Sequence, residues 1–217
     1  TAFMMVGFSA MAADGTSSSY SDTNSGADGK AVPRMNLTAG MSSSKLTVND
    51  DLITDQNNQR ADIDGRKNDV AASLTFDLGS GPVVLETGAA YRSFGLKIND
   101  NAHINLDYIG VPVMAKFYLG DVDTTAFFIR AGVRPSWAIG KSVEIGSLRT
   151  GGNPGFGVKN FDLPAVAGVG AKLAMGPQFG LLVSADYERS ITKINEFGGD
   201  DVHNDALVFQ AGLSIGL

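Results

Sequence analysis

The side chains best able to do chemistry in this chain are two histidines and a scatter of carboxylates. His103 and His203 are the only imidazoles. A lipid-hydrolysing site would place a serine nucleophile two residues after the histidine. Here the pairs are His103/Asn105 and His203/Asp205, so the nucleophile is missing. Asp200 and Asp201 beside His203 offer an acid-protease arrangement with histidine as general base, but their Gly-rich acidic run reads as solvated loop. Asp50, Asp51, Asp55, Asp62, Asp64 and Asp69, and later Glu196, Asp200, Asp201 and Asp205, supply oxygens of the kind Ca²⁺ or Mg²⁺ takes. Asp62-Ile63-Asp64-Gly65 has the start of a calcium loop without its remaining ligands or closing Glu. Gly168-Val169-Gly170-Ala171-Lys172 and Gly151-Gly152-Asn153-Pro154-Gly155 complete neither a P-loop nor a dinucleotide fingerprint. The expectation is therefore no catalytic residue, no metal and no cofactor.

A second set of charges is spaced differently. Asp77, Glu86, Arg92, Lys116, Arg130, Arg134, Lys172, Asp186 and Glu188 each sit at a position that alternates with apolar neighbours. Alternation with period two is the pattern of a strand with two unlike faces. These charges are close to balanced, and they share their face with Gly88, Ala90, Gly132, Gly168, Gly170, Gly212 and Gly216. Small residues beside long charged ones suit the crowded lumen of a small barrel. Charges taken out of water must be paired, since desolvation costs several kcal/mol per ion. The nine are read as a network closing a lumen.

The elements that must position them follow from the same alternation. Eight stretches carry it: about Arg34–Val48, Asn68–Leu78, Val83–Ser93, Tyr108–Leu119, Thr125–Gly140, Asp162–Met175, Phe179–Ile191 and a last one ending at Leu217. Each is about ten residues or longer, enough for a tilted strand to cross a bilayer. No run of 18 apolar residues occurs, which excludes a transmembrane helix. Links at Gly79–Pro82, Gly120–Thr124 and Gly176–Gln178 read as tight turns. Links at about Asn49–Lys67, Ile98–His103, Lys141–Asn160 and Thr192–Asp205 read as long polar loops. Short and long links in turn describe an up-and-down meander. Pro112 and Pro135 fall inside strands, remove ladder donors and predict bulges.

Composition agrees. Charged residues are 18%, below the roughly 25% of soluble domains. There are 27 glycines and no cysteine, which excludes disulfides and thiolate chemistry. A net charge of −6 excludes nucleic acid as a partner. Residues 1–13 read as a truncated secretory signal peptide ending in a small-x-small pattern. Residues 14–33 read as a Ser/Gly/Asp-rich linker, and 34–217 as the barrel. On the apolar face Phe117, Phe127 and Phe179 fall toward the short turns, and Tyr91, Trp137 and Tyr187 toward the long loops. Two such rows are the aromatic girdles of a membrane barrel.

From Val83 to Leu217 the chain resembles the PorT-like outer-membrane β-barrel domains, eight-stranded and similar in architecture to OmpA- and OmpX-type barrels. The matching pieces are LETGAAYRSFGLK, YIGVPVMAKFYLG, FFIRAGVRPSWAIG, DLPAVAGVGAKL, LLVSADYERSITKI and ALVFQAGLSIGL, in that order. Leu217 stands where such barrels often carry a terminal aromatic. The resemblance implies an integral outer-membrane protein of a Gram-negative cell envelope, in contact with outer-membrane lipid and without enzymatic activity. The expected role is structural or interactive, with acidic extracellular loops meeting an envelope partner or a neighbouring copy. The alternatives are a small porin-like pore or transporter, and a soluble lipocalin-like binder.

Overall fold

The computed structural model describes residues 33–48, 66–79, 81–99, 102–120, 125–145, 148–151, 159–176, 178–193 and 202–217. The leader assigned to 1–13, nearly all of the linker at 14–33, and the acidic runs at 50–64 and 196–201 lie outside the described residues. So does the glycine run from 152 to 155.

Among the described residues twelve antiparallel segments make eight staves. The first three are β1 (Arg34–Val48), β2 (Lys67–Leu78) and β3 (Val83–Asn99). The fourth is β4 (Ala102–Gly110) continued by β5 (Val113–Leu119). The fifth is β6 (Ala126–Val133) continued by β7 (Ser136–Ile145), with β8 (Leu148–Gly151) folding back on β7. The sixth joins β9 (Phe161–Asp162) to β10 (Pro164–Ala174), and β11 (Phe179–Ser190) and β12 (Val202–Gly216) are the last two. Each stave pairs with the next. β1 pairs with β12 from Arg34↔Gly216 to Val48↔Val202, which closes the sheet into a barrel. Closure leaves no strand edge in the wall, as a bilayer requires.

The staves break where proline removes a donor. β4 stops before Val111-Pro112 and β6 before Arg134-Pro135. Backbone bonds carry the wall across these gaps: Val111 donates to the Pro135 carbonyl and Arg134 to the Pro164 carbonyl, both at 2.9 Å. The register shifts lie elsewhere, at Lys97/Asn99 and Asp107/Tyr108, so the expected bulges at the prolines are interruptions instead. The turn after β5 passes through Gly120 at φ +104°, a conformation side-chain-bearing residues rarely adopt.

Three links read as long loops are partly strand. β3 runs to Asn99 and pairs with β4 from Ala102, β7 runs to Ile145, and β12 begins at Val202. Alternation signals a face buried against something apolar. Strands that pair beyond the bilayer do not need it, so their extent was not legible. His103 therefore lies in β4, His203 and Asp205 in β12, and Asp69 in β2, not in loops.

Leu37, Val70, Val83, Ile129, Val169 and Leu213 point outward and are exposed. Inside, an apolar layer of Val84, Tyr118, Ala126, Phe128 and Leu182 sits toward the short turns. A second layer of Ala71, Phe94, Leu106, Tyr108, Ala206 and Val208 sits toward the long links. Most of the buried charges lie between the two.

Candidate functional site

All nine charged residues singled out by spacing lie on the inner face and are buried. Eight of them form two hydrogen-bonded groups. In the first, Lys116 on β5 bonds Asp77 on β2 at 2.8 Å and pairs with Glu86 on β3. Arg130 on β6 reaches Glu86 at 2.8 Å, Asp186 on β11 at 2.6 Å and the Ser184 hydroxyl at 3.1 Å. In the second, Glu188 on β11 accepts from Arg134 Nη2 at 2.6 Å and from Arg92 Nε at 3.2 Å. Arg92 stands on the third stave and Glu188 on the seventh, so this pair crosses the full width of the barrel. Lys172 is buried beside Gly180, near the short turns.

The arrangement pairs groups that could not tolerate isolation. A charge enclosed by protein and lipid interacts far more strongly with its neighbours than in water. Losing one partner leaves the other stranded. Aromatic rings add to the enclosure: Lys116 Nζ stands 5.0 Å from the Phe128 ring centroid, and the Arg130 guanidinium carbon 5.7 Å.

Several members were missed by the reading of spacing. Asp162 is wholly buried and accepts from Ser190 Oγ at 2.8 Å, Thr192 Oγ1 at 3.0 Å and Asn204 Nδ2 at 3.1 Å. Among the described residues it brings the buried inward carboxylates to five (Asp77, Glu86, Asp162, Asp186 and Glu188), equal to the five buried inward cations. It opens the alternating stretch Asp162–Met175 on the same face as Lys172, so its parity was the available signal and was passed over. Tyr118 donates to Asp77 at 2.7 Å, and Gln210 accepts from Arg92 at 3.1 Å. Both sit on the polar side of the alternation, which was the available signal.

The lumen glycines divide by what they make room for. A Cβ at Gly168 would meet Asp186 Oδ1, and one at Gly170 would meet the Phe128 ring, so these two clear space for inward side chains. At Gly88, Gly132 and Gly212 the obstacle is the backbone of the adjoining strand. The expected role of small neighbours for charged groups fails at those three; they permit close strand approach.

On the outside, Phe117, Phe127 and Phe179 point outward near the short turns, and Trp137 and Tyr187 near the other end. Tyr91 is half-buried and donates to Asp107 at 2.9 Å; Tyr187 donates to Asp205 at 2.8 Å. Trp137 meets Phe161 edge-to-face at 5.7 Å. From Phe179 to Tyr187 the strand advances about 26 Å at ~3.3 Å per residue. A tilt of ~40° makes this about 20 Å along the barrel axis, near the ~25 Å apolar band of outer-membrane barrels. His203 Nδ1 lies 3.0 Å from the Ser190 carbonyl oxygen, a backbone contact.

A closed barrel with apolar side chains outward and charges inward is built for lipid outside and not for water. The matching family model is the outer membrane protein beta-barrel domain, over residues 33–196, and the chain belongs to that family. It is a protein of the bacterial outer membrane. Neisserial surface protein A has a similar structure at a TM-score of 0.51 and 12% identity, covering 84% of this chain and 97% of that one. OprG of Pseudomonas aeruginosa has a TM-score of 0.47 and 15% identity, covering 87% and 97%. Ail of Yersinia pestis has a TM-score of 0.43 and 10% identity, covering 85% and 100%. A search of curated proteins finds no match.

Proposed function

We propose that this chain is a non-enzymatic, ion-tight outer-membrane barrel of the PorT-like kind, with a structural or interaction role. One observation carries the reading. The cavity bordered by Arg92, Arg130, Arg134 and Glu188 is only about 10 Å³, room for a single water. The charged network closes the lumen there, and the apolar layers above and below reinforce it. The two aromatic rows serve as girdles against lipid headgroups. The carboxylate-rich stretches at 50–64 and 196–201 meet an envelope partner or a neighbouring copy.

The test is conductance. Purified barrel in a planar bilayer is expected to carry no steady ion current. Arg130→Ala, which removes the tie from β6 to both Glu86 on β3 and Asp186 on β11, is expected to create one. A steady ohmic current through the unaltered protein would overturn the closed reading and establish the second one, a small pore lined by these same charges.

A further inference from the structure

The inner face of β1, β12 and the middle of β2 differs from the rest of the lumen. β1 presents Asn36, Thr38, Ser42 and Ser44 inward; Ser73 and Thr75 flank them on β2, and Gln210 and Ser214 on β12. On β1 these hydroxyls and amides run from the short turns to the long links, with Val208 and Ala206 of β12 flanking Ser42 and Ser44 and Ala71 of β2 opposite Gly40. Asn36 is 2% exposed, Ser42 0% and Ser214 1%, and their side-chain polar atoms meet no protein partner. Seven buried side-chain polar atoms among the described residues have none, and six of them lie on β1, β2 and β12. Buried polar groups are otherwise almost always satisfied, and ordered water is the usual partner where protein is not.

These atoms fall at stations. Near the short turns Asn36 faces Ser214 across the β1–β12 pairing. Nearer the long links Ser42 faces Asp69, whose Oδ2 is also without a partner. Between them Ser73 and Gln210 border the central cavity. There Thr38 Oγ1 lies 2.6 Å from Ser73 Oγ and accepts from Gln210 at 3.0 Å. Hydroxyls and amides both donate and accept, as water does. We propose that this strip binds a chain of waters and passes water, but not ions, across the barrel. An ion would have to shed its hydration where the strip, apart from Asp69, offers only neutral groups and the central space, walled by charges already paired with one another, holds one water, which is prohibitive in a low-dielectric interior. The ion-tight part of this inference rests on the closed-lumen reading above.

The experiment is osmotic shrinkage of phosphatidylcholine vesicles containing the folded barrel, read by stopped-flow light scattering, beside ion current in planar bilayers. Expected are faster shrinkage than in protein-free vesicles and no current. The double variant Asn36→Leu/Ser214→Ala, checked for folding by its heat-dependent shift on SDS gels, is expected to return shrinkage to the protein-free rate. Hydroxyl-radical footprinting of the unaltered protein gives a readout free of any folding defect. Met114, which borders the cavity, is expected to be labelled, and lipid-facing Met41 protected. Shrinkage no faster than in empty vesicles, or Met114 left unlabelled, would sink the proposal. Water flux accompanied by ion current would overturn the closed-lumen reading while leaving the hydrated strip standing.

Discussion

The inner wall has two sectors, and they are tied together by different means. On β3, β5, β6, β7 and β11 and their flanks, long charged side chains reach over neighbouring staves. Arg92 meets Glu188 across the barrel, and Arg130 holds Glu86 and Asp186 on opposite sides of itself. On β1, β12 and the middle of β2 the buried inward side chains are neutral, and Thr38 reaches only the adjoining staves, at Ser73 and Gln210; charge returns toward the ends of β2, in Asp69 and Asp77. Long charged groups brace the barrel across its width. Short hydroxyls only line the wall, and several of their buried polar atoms meet no protein partner. Gln210 joins the sectors, accepting from Arg92 and donating to Thr38.

Replacing Arg130 should break the braced sector most severely. Arg130→Met leaves Glu86 and Asp186 short of a cation inside the barrel, and a loss of about 3–5 kcal/mol is expected. Urea unfolding of the protein reconstituted in lipid vesicles measures it. A loss below ~1 kcal/mol would mean that the two sectors are braced alike. Cutting the join comes next. Gln210→Leu strands a guanidinium donor of Arg92 and should cost about 1.5–3 kcal/mol by the same titration. It should also lower the temperature at which the folded band is lost on SDS gels.

Gly168→Ala sharpens the comparison from another side. Its methyl would meet Asp186 Oδ1 and push the carboxylate away from Arg130. A cost of about 1–3 kcal/mol, of the size overpacking brings, is expected, and much less of it in an Asp186→Ala background. Additivity of the two substitutions would show that the methyl acts elsewhere. The smallest effect belongs to the neutral sector. Thr38→Val removes the contacts to Ser73 and Gln210 and should cost about 0.5–1.5 kcal/mol. A loss as large as that of Arg130→Met would erase the distinction between the sectors.

The fold was largely legible. Alternation gave eight strands, tight turns at Gly79, Gly120 and Gly176, and a closed up-and-down barrel. The ends of the strands were not, because beyond the bilayer pairing continues without an apolar rhythm. His103 and Asp205 passed for loop residues for that reason. Proline placement revealed where the staves break, at Pro112 and Pro135, but not that they break without a bulge. Asp162 shares the parity of Lys172 in the stretch that it opens, but it stands at the stretch's end, where its contacts with Ser190, Thr192 and Asn204 come from other parts of the chain and only the fold brings them together.

Period two assigns a side chain to a face, and a sequence can be read for faces. It grouped Arg92, Arg130, Asp186 and Glu188 on one side of the sheet with no knowledge of which would meet. Partners depend on closure. Arg92 and Glu188 are 96 residues apart, and Thr38 and Gln210 172 apart, and each pair comes into contact only when β1 docks on β12. Local pattern fixed the two faces of the sheet, because side chains alternate along any strand. Only the closed barrel decided which buried groups are paired and which have no protein partner, because that depends on register across staves that are distant in the chain.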